Sequence, residues 1–120
     1  MFNFEKLDAW RKSIELADLV YRVTRSFPSD ERFGLTNQLR RAAVSISSNL
    51  AEGCSRASRT DFARFVEIAT GSAFEAASQT MIARRQGYLT ETQFIAIQQS
   101  TLEITKMLSG LRHALRRRDG

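Results

Sequence analysis

The sequence predicts an all-α protein: an antiparallel, up-down-up-down four-helix bundle formed as one domain over residues 1–120. Three observations predict it. Apolar residues recur at three- and four-residue spacing along the chain, the period of a helix buried on one side, and no run alternates as a strand does. The single proline and most of the six glycines fall between these amphipathic stretches rather than inside them. The connections are mostly short, which favours antiparallel neighbours.

The spacing places helices at about 7–26, 36–52, 59–86 and 91–117. In the first, Leu7, Trp10, Ile14, Ala17 and Tyr21 share a face, and Phe27-Pro28 ends it because a residue before proline avoids the helical region. Ser29-Asp30-Glu31 then opens a short turn that runs to Gly34. In the second, Thr36 is the expected N-cap, Leu35, Leu39, Ala42, Ala43, Ile46 and Leu50 form the core stripe, and Gly53 is the expected stop. The third opens on Ser58-x-x-Asp61, a capping-box-like start. Its stripe is Phe62, Phe65, Val66, Ala69, Ala73, Ala76, Thr80 and Ala83, and Gly87 closes it. The fourth opens on the box Thr90-x-x-Gln93. Ile97, Thr101, Ile104, Leu108, Leu111 and Leu115 then follow the four-three spacing of a seam packed at a shallow angle.

Some apolar residues fall outside these stripes. Leu16 and Val23 leave the expected face of the first helix, Val44 and Ala51 that of the second, and Ile68 and Ile82 that of the third, with Gly71 near them. Second apolar faces on three helices point to a subunit interface, with Gly71 permitting close backbone approach.

Composition narrows the function. Forty-two per cent of the chain is hydrophobic and 26% charged, as in ordinary globular domains. Charge interrupts the N-terminus from Glu5 onward, so no targeting segment is expected, and no stretch approaches the roughly 20 apolar residues that cross a bilayer. The expected location is the cytoplasm. One cysteine, Cys54, forms no intrachain disulfide, and with one histidine, His113, it falls short of a zinc set. Glu-x-x-His pairs, phosphate loops and nucleophile elbows are missing from the sequence. No catalytic residue, metal or cofactor is therefore expected. Glu52 and Glu75 are the best acid–base suspects, and they would have to converge in one pocket. Arg41, Ser45, Asn49, Glu52, Ser72 and Glu75 read more simply as a polar network or an interface, together with Ile68 and Gly71.

The net charge is +5, and 15 of the 18 basic residues are arginine. Arginine suits phosphate and carboxylate, so anionic partners are one reading; an arginine-rich coding bias is the other. The candidates for nucleic-acid contact are Arg40, Arg41, Arg56, Arg59, Arg112, Arg116, Arg117 and Arg118. The bundle topology is expected to bring the second connection and the C-terminal tail to one end, where Arg56, Arg59 and the tail would form a basic patch that reads phosphates rather than bases. Arginines that only complement helix dipoles and keep the surface soluble are the equal alternative. Aromatics do not interleave with these arginines, which gives no support to single-strand stacking.

Taken together, Phe27-Pro28, Glu31-Arg32-Phe33-Gly34-Leu35, Gln38-Leu39-Arg40-Arg41-Ala42, Ser45-Ile46 and Asn49-Leu50-Ala51-Glu52-Gly53 resemble the four-helix bundle proteins of the 23S rRNA intervening-sequence type. Leu7-Asp8-Ala9-Trp10, Gly71-Ser72-x-x-Glu75 and Gly87-Tyr88-Leu89 fit the same pattern. The likeness implies a cytosolic bundle that assembles as a ring-like homopentamer, without known activity and without catalytic residues to carry over. A more distant likeness, to the accessory variability protein of diversity-generating retroelements, implies contact with RNA or a nucleic-acid-processing partner. The alternative is a protein-interaction scaffold with no nucleic-acid role.

Overall fold

The computed structural model describes residues 1–117, so Arg118 lies outside the described residues. Its four helices are α1 (Asp8–Thr24), α2 (Leu35–Cys54), α3 (Arg59–Arg85) and α4 (Glu91–Arg116). They form a rod of 52 × 22 × 21 Å. Around the bundle α1 packs on α2, α2 on α3, α3 on α4 and α4 on α1, and the diagonal pairs stay apart. Specific contacts give the directions. Thr24 at the end of α1 meets Arg40 near the start of α2, and Arg59 at the start of α3 reaches the carbonyls of Ala114 and Leu115 at the end of α4. Lys12, early in α1, pairs with Glu103 of α4 at 3.2 Å. Neighbours are antiparallel throughout. Among the described residues there is no strand.

The caps of α3 and α4 follow the sequence. Ser58 Oγ accepts from the Asp61 amide at 3.0 Å. Thr90 and Gln93 close a reciprocal box: the Gln93 amide donates to Thr90 Oγ1 at 3.1 Å and the Thr90 amide donates to Gln93 Oε1 at 2.9 Å. Gly87 ends α3 at φ 80°; the Tyr88 amide bonds the Ala83 carbonyl and the Gly87 amide bonds that of Arg84, both at 3.0 Å. This left-handed closure satisfies the last carbonyls of the helix.

Both caps expected for α2 differ. Gly34, not Thr36, is its N-cap, and Thr36 is buried as the second residue of the helix. One contact stands in for the hydroxyl cap: the Leu35 amide donates to Glu31 Oε1 at 3.1 Å, and Tyr88 Oη, donating to Glu31 Oε2 at 3.1 Å, holds that carboxylate. Ser29–Glu31 form a short 3-10 turn that holds this carboxylate in place. Gly53 does not stop α2, which runs to Cys54. It is buried against α3, where a Cβ would lie 2.8 Å from Phe62 Cδ1 and 2.9 Å from Phe65 Cβ. The glycine serves close approach of two helices, and Gly53 has no left-handed φ.

The stripes assigned to α2, α3 and α4 are the buried ones, with Phe62, Leu111 and Leu115 only partly covered. The face assigned to α1 is not. α1 buries Ala9, Ser13, Leu16, Val20, Val23 and Thr24, a face turned by roughly 100° from the expected one, about one residue of helical twist. Ser13 Oγ donates to the Ala9 carbonyl at 2.6 Å and Thr24 Oγ1 to that of Val20 at 2.7 Å, so neither hydroxyl enters the core unsatisfied. Leu16 and Val23 are therefore core residues rather than part of a second apolar face. Trp10 lies half-buried beneath the N-terminal segment, its ring 5.0 Å from Phe4, which stacks on Phe2 at 5.3 Å.

Candidate functional site

Three surfaces carry the residues singled out by the sequence. The first is the polar contact of α2 with α3. Ser45 Oγ and Ser72 Oγ meet at 2.8 Å, and Asn49 Nδ2 donates to the Ser45 carbonyl at 2.8 Å and to Ser45 Oγ at 3.0 Å. These three half-buried side chains form a hydrogen-bonded cluster between α2 and α3. Toward the start of α2 it opens into a cleft lined by Asn37, Gln38, Arg41, Glu75 and Gln79. Gln79 Oε1 is buried there without a hydrogen-bond partner.

Glu52 does not join this network. It is exposed and pairs with Arg56 at 2.9 Å. Glu75 is exposed level with Arg41, whereas Glu52 lies beside Gly53, level with Phe65. Ten residues of α3 separate those levels, about 15 Å at 1.5 Å per residue. The two carboxylates do not converge. Among the described residues no group of three or more His, Cys, Asp or Glu could hold a metal ion. Cys54 is half-buried, and burial pushes its thiol up from the ordinary value, which disfavours the nucleophilic thiolate.

The second surface is arginine-bearing. As expected, Arg56 and Arg59 lie at the same end as the close of α4. Most of the guanidinium groups there are engaged within the chain. Arg56 pairs with Glu52 and lies 4.7 Å from the Phe65 ring. Arg59 donates to the carbonyls of Ala114 at 2.6 Å and Leu115 at 3.3 Å. Glu67 accepts from Arg112 at 3.1 Å and from Arg116. Arg59 thus satisfies the open carbonyls at the end of α4, a capping role that the sequence did not reveal. Arg40 and Arg41 lie toward the other end. Arg40 Nε donates to Thr24 Oγ1 at 2.8 Å, and its guanidinium stacks 4.6 Å from the Tyr21 ring. Arg41 has no ion pair among the described residues.

The third surface is apolar, and the sequence showed it only in part. Ile68 and Ile82 are exposed as expected, and Gly71 has open space where a Cβ would stand; Val44 is exposed as well, but on the α1–α2 side beside Tyr21 and Arg40. Added to them are Phe74, Met81, Ile95 and Leu102, of which Phe74 is 65% exposed. Phe74, Ala77 and Met81 of α3 face Phe94 and Leu102 of α4 across a groove of about 390 Å³. One signal could have revealed it: between Ile68 and Ala83 the only charged residue is Glu75. A helix that is apolar all round is normally buried all round. Among the described residues no helix is long and apolar enough to cross a membrane.

With this geometry in view, comparison with known proteins adds two findings. A family model described as 23S rRNA-intervening sequence protein matches residues 5–110. The chain is also similar to a solved protein of unknown function from the S23 ribosomal protein family of Bacteroides thetaiotaomicron. The two share 27% identity with a TM-score of 0.80, over 87% of this chain and 97% of that one. No curated protein matches.

Proposed function

Because the chain belongs to the 23S rRNA-intervening sequence protein family, we propose that it works without catalysis, as a cytoplasmic homo-oligomeric bundle. One observation carries this reading: the apolar surface of α3 and α4 left outside the monomer's core. In water such a surface favours association. A homopentameric ring is the assembly proposed, from the family likeness. The non-catalytic part rests on the separation of Glu52 and Glu75 and on the ion pair that engages Glu52.

Light scattering tests the assembly. The expected mass is several times the 13.6 kDa of one chain, and a monomeric mass at tens of micromolar defeats the proposal. For the partner, the family's description favours RNA met through arginine, with Arg41 and Arg117 the least engaged of the described candidates. Filter binding to structured RNA over a salt series tests this, because phosphate contacts make affinity fall steeply with salt. A specific observation favours the second reading, a protein scaffold without nucleic acid. Arg56, Arg112 and Arg116 already pair with glutamates, and Arg59 with backbone carbonyls. No RNA binding at low salt would leave the scaffold.

A further inference from the structure

We infer that successive copies join head to tail: the α1–α2 face around Tyr21, Arg40 and Val44 of one copy fills the α3–α4 groove of the next. This rests on the homo-oligomeric reading above and names the surfaces that would build it.

Three observations point to a second copy as the occupant. The first is shape and chemistry. The groove walls Phe74, Met81 and Leu102 are 65%, 52% and 56% exposed, and no charged side chain lines the groove. Its occupant must be apolar. The opposite face of the same bundle offers Tyr21 and Val44, 40% and 38% exposed. Tyr21 is held there by the Arg40 guanidinium, itself tied to Thr24. A tyrosine and an arginine fixed in advance lose little freedom on docking, and these residue types dominate binding energy at interfaces.

The second is charge. From Leu35 to Ala51, α2 carries Arg40 and Arg41 and no acid, and the end of α1 adds Arg22 and Arg25 beyond Asp18. The groove side is opposite in sign. Residues 91–105 of α4 include Glu91 and Glu103 and no lysine or arginine, while Glu75 of α3 turns to the α2 side and shares a cleft with Arg41. Glu103 turns to Lys12, whereas Glu91 has no ion pair among the described residues. A polyanion would be repelled from the groove, and a copy of this chain brings the matching sign.

The third is area. The exposed portions of the groove walls, of Ile95 and of Tyr21 and Val44 come to roughly 500–600 Å². That is more than half of the ~900 Å² apolar share of a standard interface of about 1,600 Å².

Because the two faces are different and lie on opposite sides of the bundle, each contact leaves one groove and one knob unused. Repetition of such a contact gives a ring where the rotation per copy closes, and that is the outcome that fits the assembly proposed above.

The test uses two single variants of the full chain, Leu102→Glu to block the groove and Val44→Glu to block the knob, each checked for helical circular dichroism. Phe74→Glu stands in if Leu102→Glu does not fold. Light scattering is expected to show each variant alone as a monomer of 13.6 kDa. Mixed, they are expected to form a one-to-one pair and nothing larger, because one groove and one knob survive. If the wild type is itself monomeric, the assembly reading fails and this inference with it. If the wild type assembles and either variant assembles equally well, this inference alone is overturned. Monomeric variants that do not pair when mixed also overturn it, because a symmetric, self-facing contact would behave in that way.

Discussion

Gly53 of α2 lies so close to Phe65 of α3 that a Cβ at position 53 would stand 2.9 Å from the phenylalanine Cβ. Two helices therefore touch, backbone against side chain, at the penultimate residue of α2. Gly53→Ala adds one methyl group where neither Phe65 nor Phe62 has room. Overpacking of this kind costs about 1–3 kcal/mol. Urea unfolding followed by circular dichroism is expected to show that loss, and a variant as stable as the wild type would contradict the contact.

Gly87 fails for a different reason when substituted. Nothing lies within 4 Å of a Cβ there, but its φ of 80° belongs to the left-handed region. Gly87→Ala is expected to destabilise by about 1–2 kcal/mol and Gly87→Asn by less, because asparagine visits that region more readily. Thermal melts of the two variants should rank in that order.

The Tyr88 phenol has a pKa raised above its ordinary value, first by its hydrogen bond to the Glu31 carboxylate, then by partial desolvation and by the charges of Glu31 and Asp30. The folded state thus holds the proton more tightly than the unfolded chain. The stabilisation is fully present below the unfolded value, about pH 10, and is lost as pH rises through the folded value. Melting temperatures from pH 8 to 11 should fall more steeply for the wild type than for Tyr88→Phe. Equal slopes would show that the contact does not persist in solution.

Arg59→Ala removes both donors from the carbonyls of Ala114 and Leu115. Global stability should fall by at most about 1 kcal/mol, since the group is exposed. The local effect should be larger: amide hydrogen exchange in the last turn of α4 is expected to speed up while that at Ile104 stays unchanged. Unaltered exchange in the last turn would argue that Arg59 is free for other partners.

These outcomes also mark what could be read from the chain itself. The spacing of Leu39, Ile46 and Leu50, or of Ile97, Ile104 and Leu108, repeats one face with little competition, and those faces are buried. α1 offered two apolar faces roughly 100° apart, and large residues such as Trp10 and Tyr21 favoured the wrong one. What decided between them is not local. The N-terminal aromatics cover Trp10, Arg40 covers Tyr21, and two hydroxyls enter the core by bonding their own helix. The same limit applies to the surfaces. Arg56 and Arg59 belong at one end with the close of α4 by topology alone, but their pairing with Glu52 and with two carbonyls depends on side-chain reach across helices. The groove formed by Phe74, Met81 and Leu102 escaped notice because each residue lies outside its own helix's stripe. Only the packing of α3 on α4 brings them together.

An even number of antiparallel helices has a consequence for anything joined to this chain. Asn3 bonds the Cys54 carbonyl at the close of α2, and the end of α4 meets the start of α3. The first and last described turns therefore lie at one pole of the rod, and the loops that carry Phe33 and Gly87 lie at the other. A domain fused ahead of the chain and a second fused behind it would crowd the same pole and leave the far one bare. An affinity handle meant not to obstruct the tail arginines would therefore belong in a loop at the Gly87 pole rather than on either terminus.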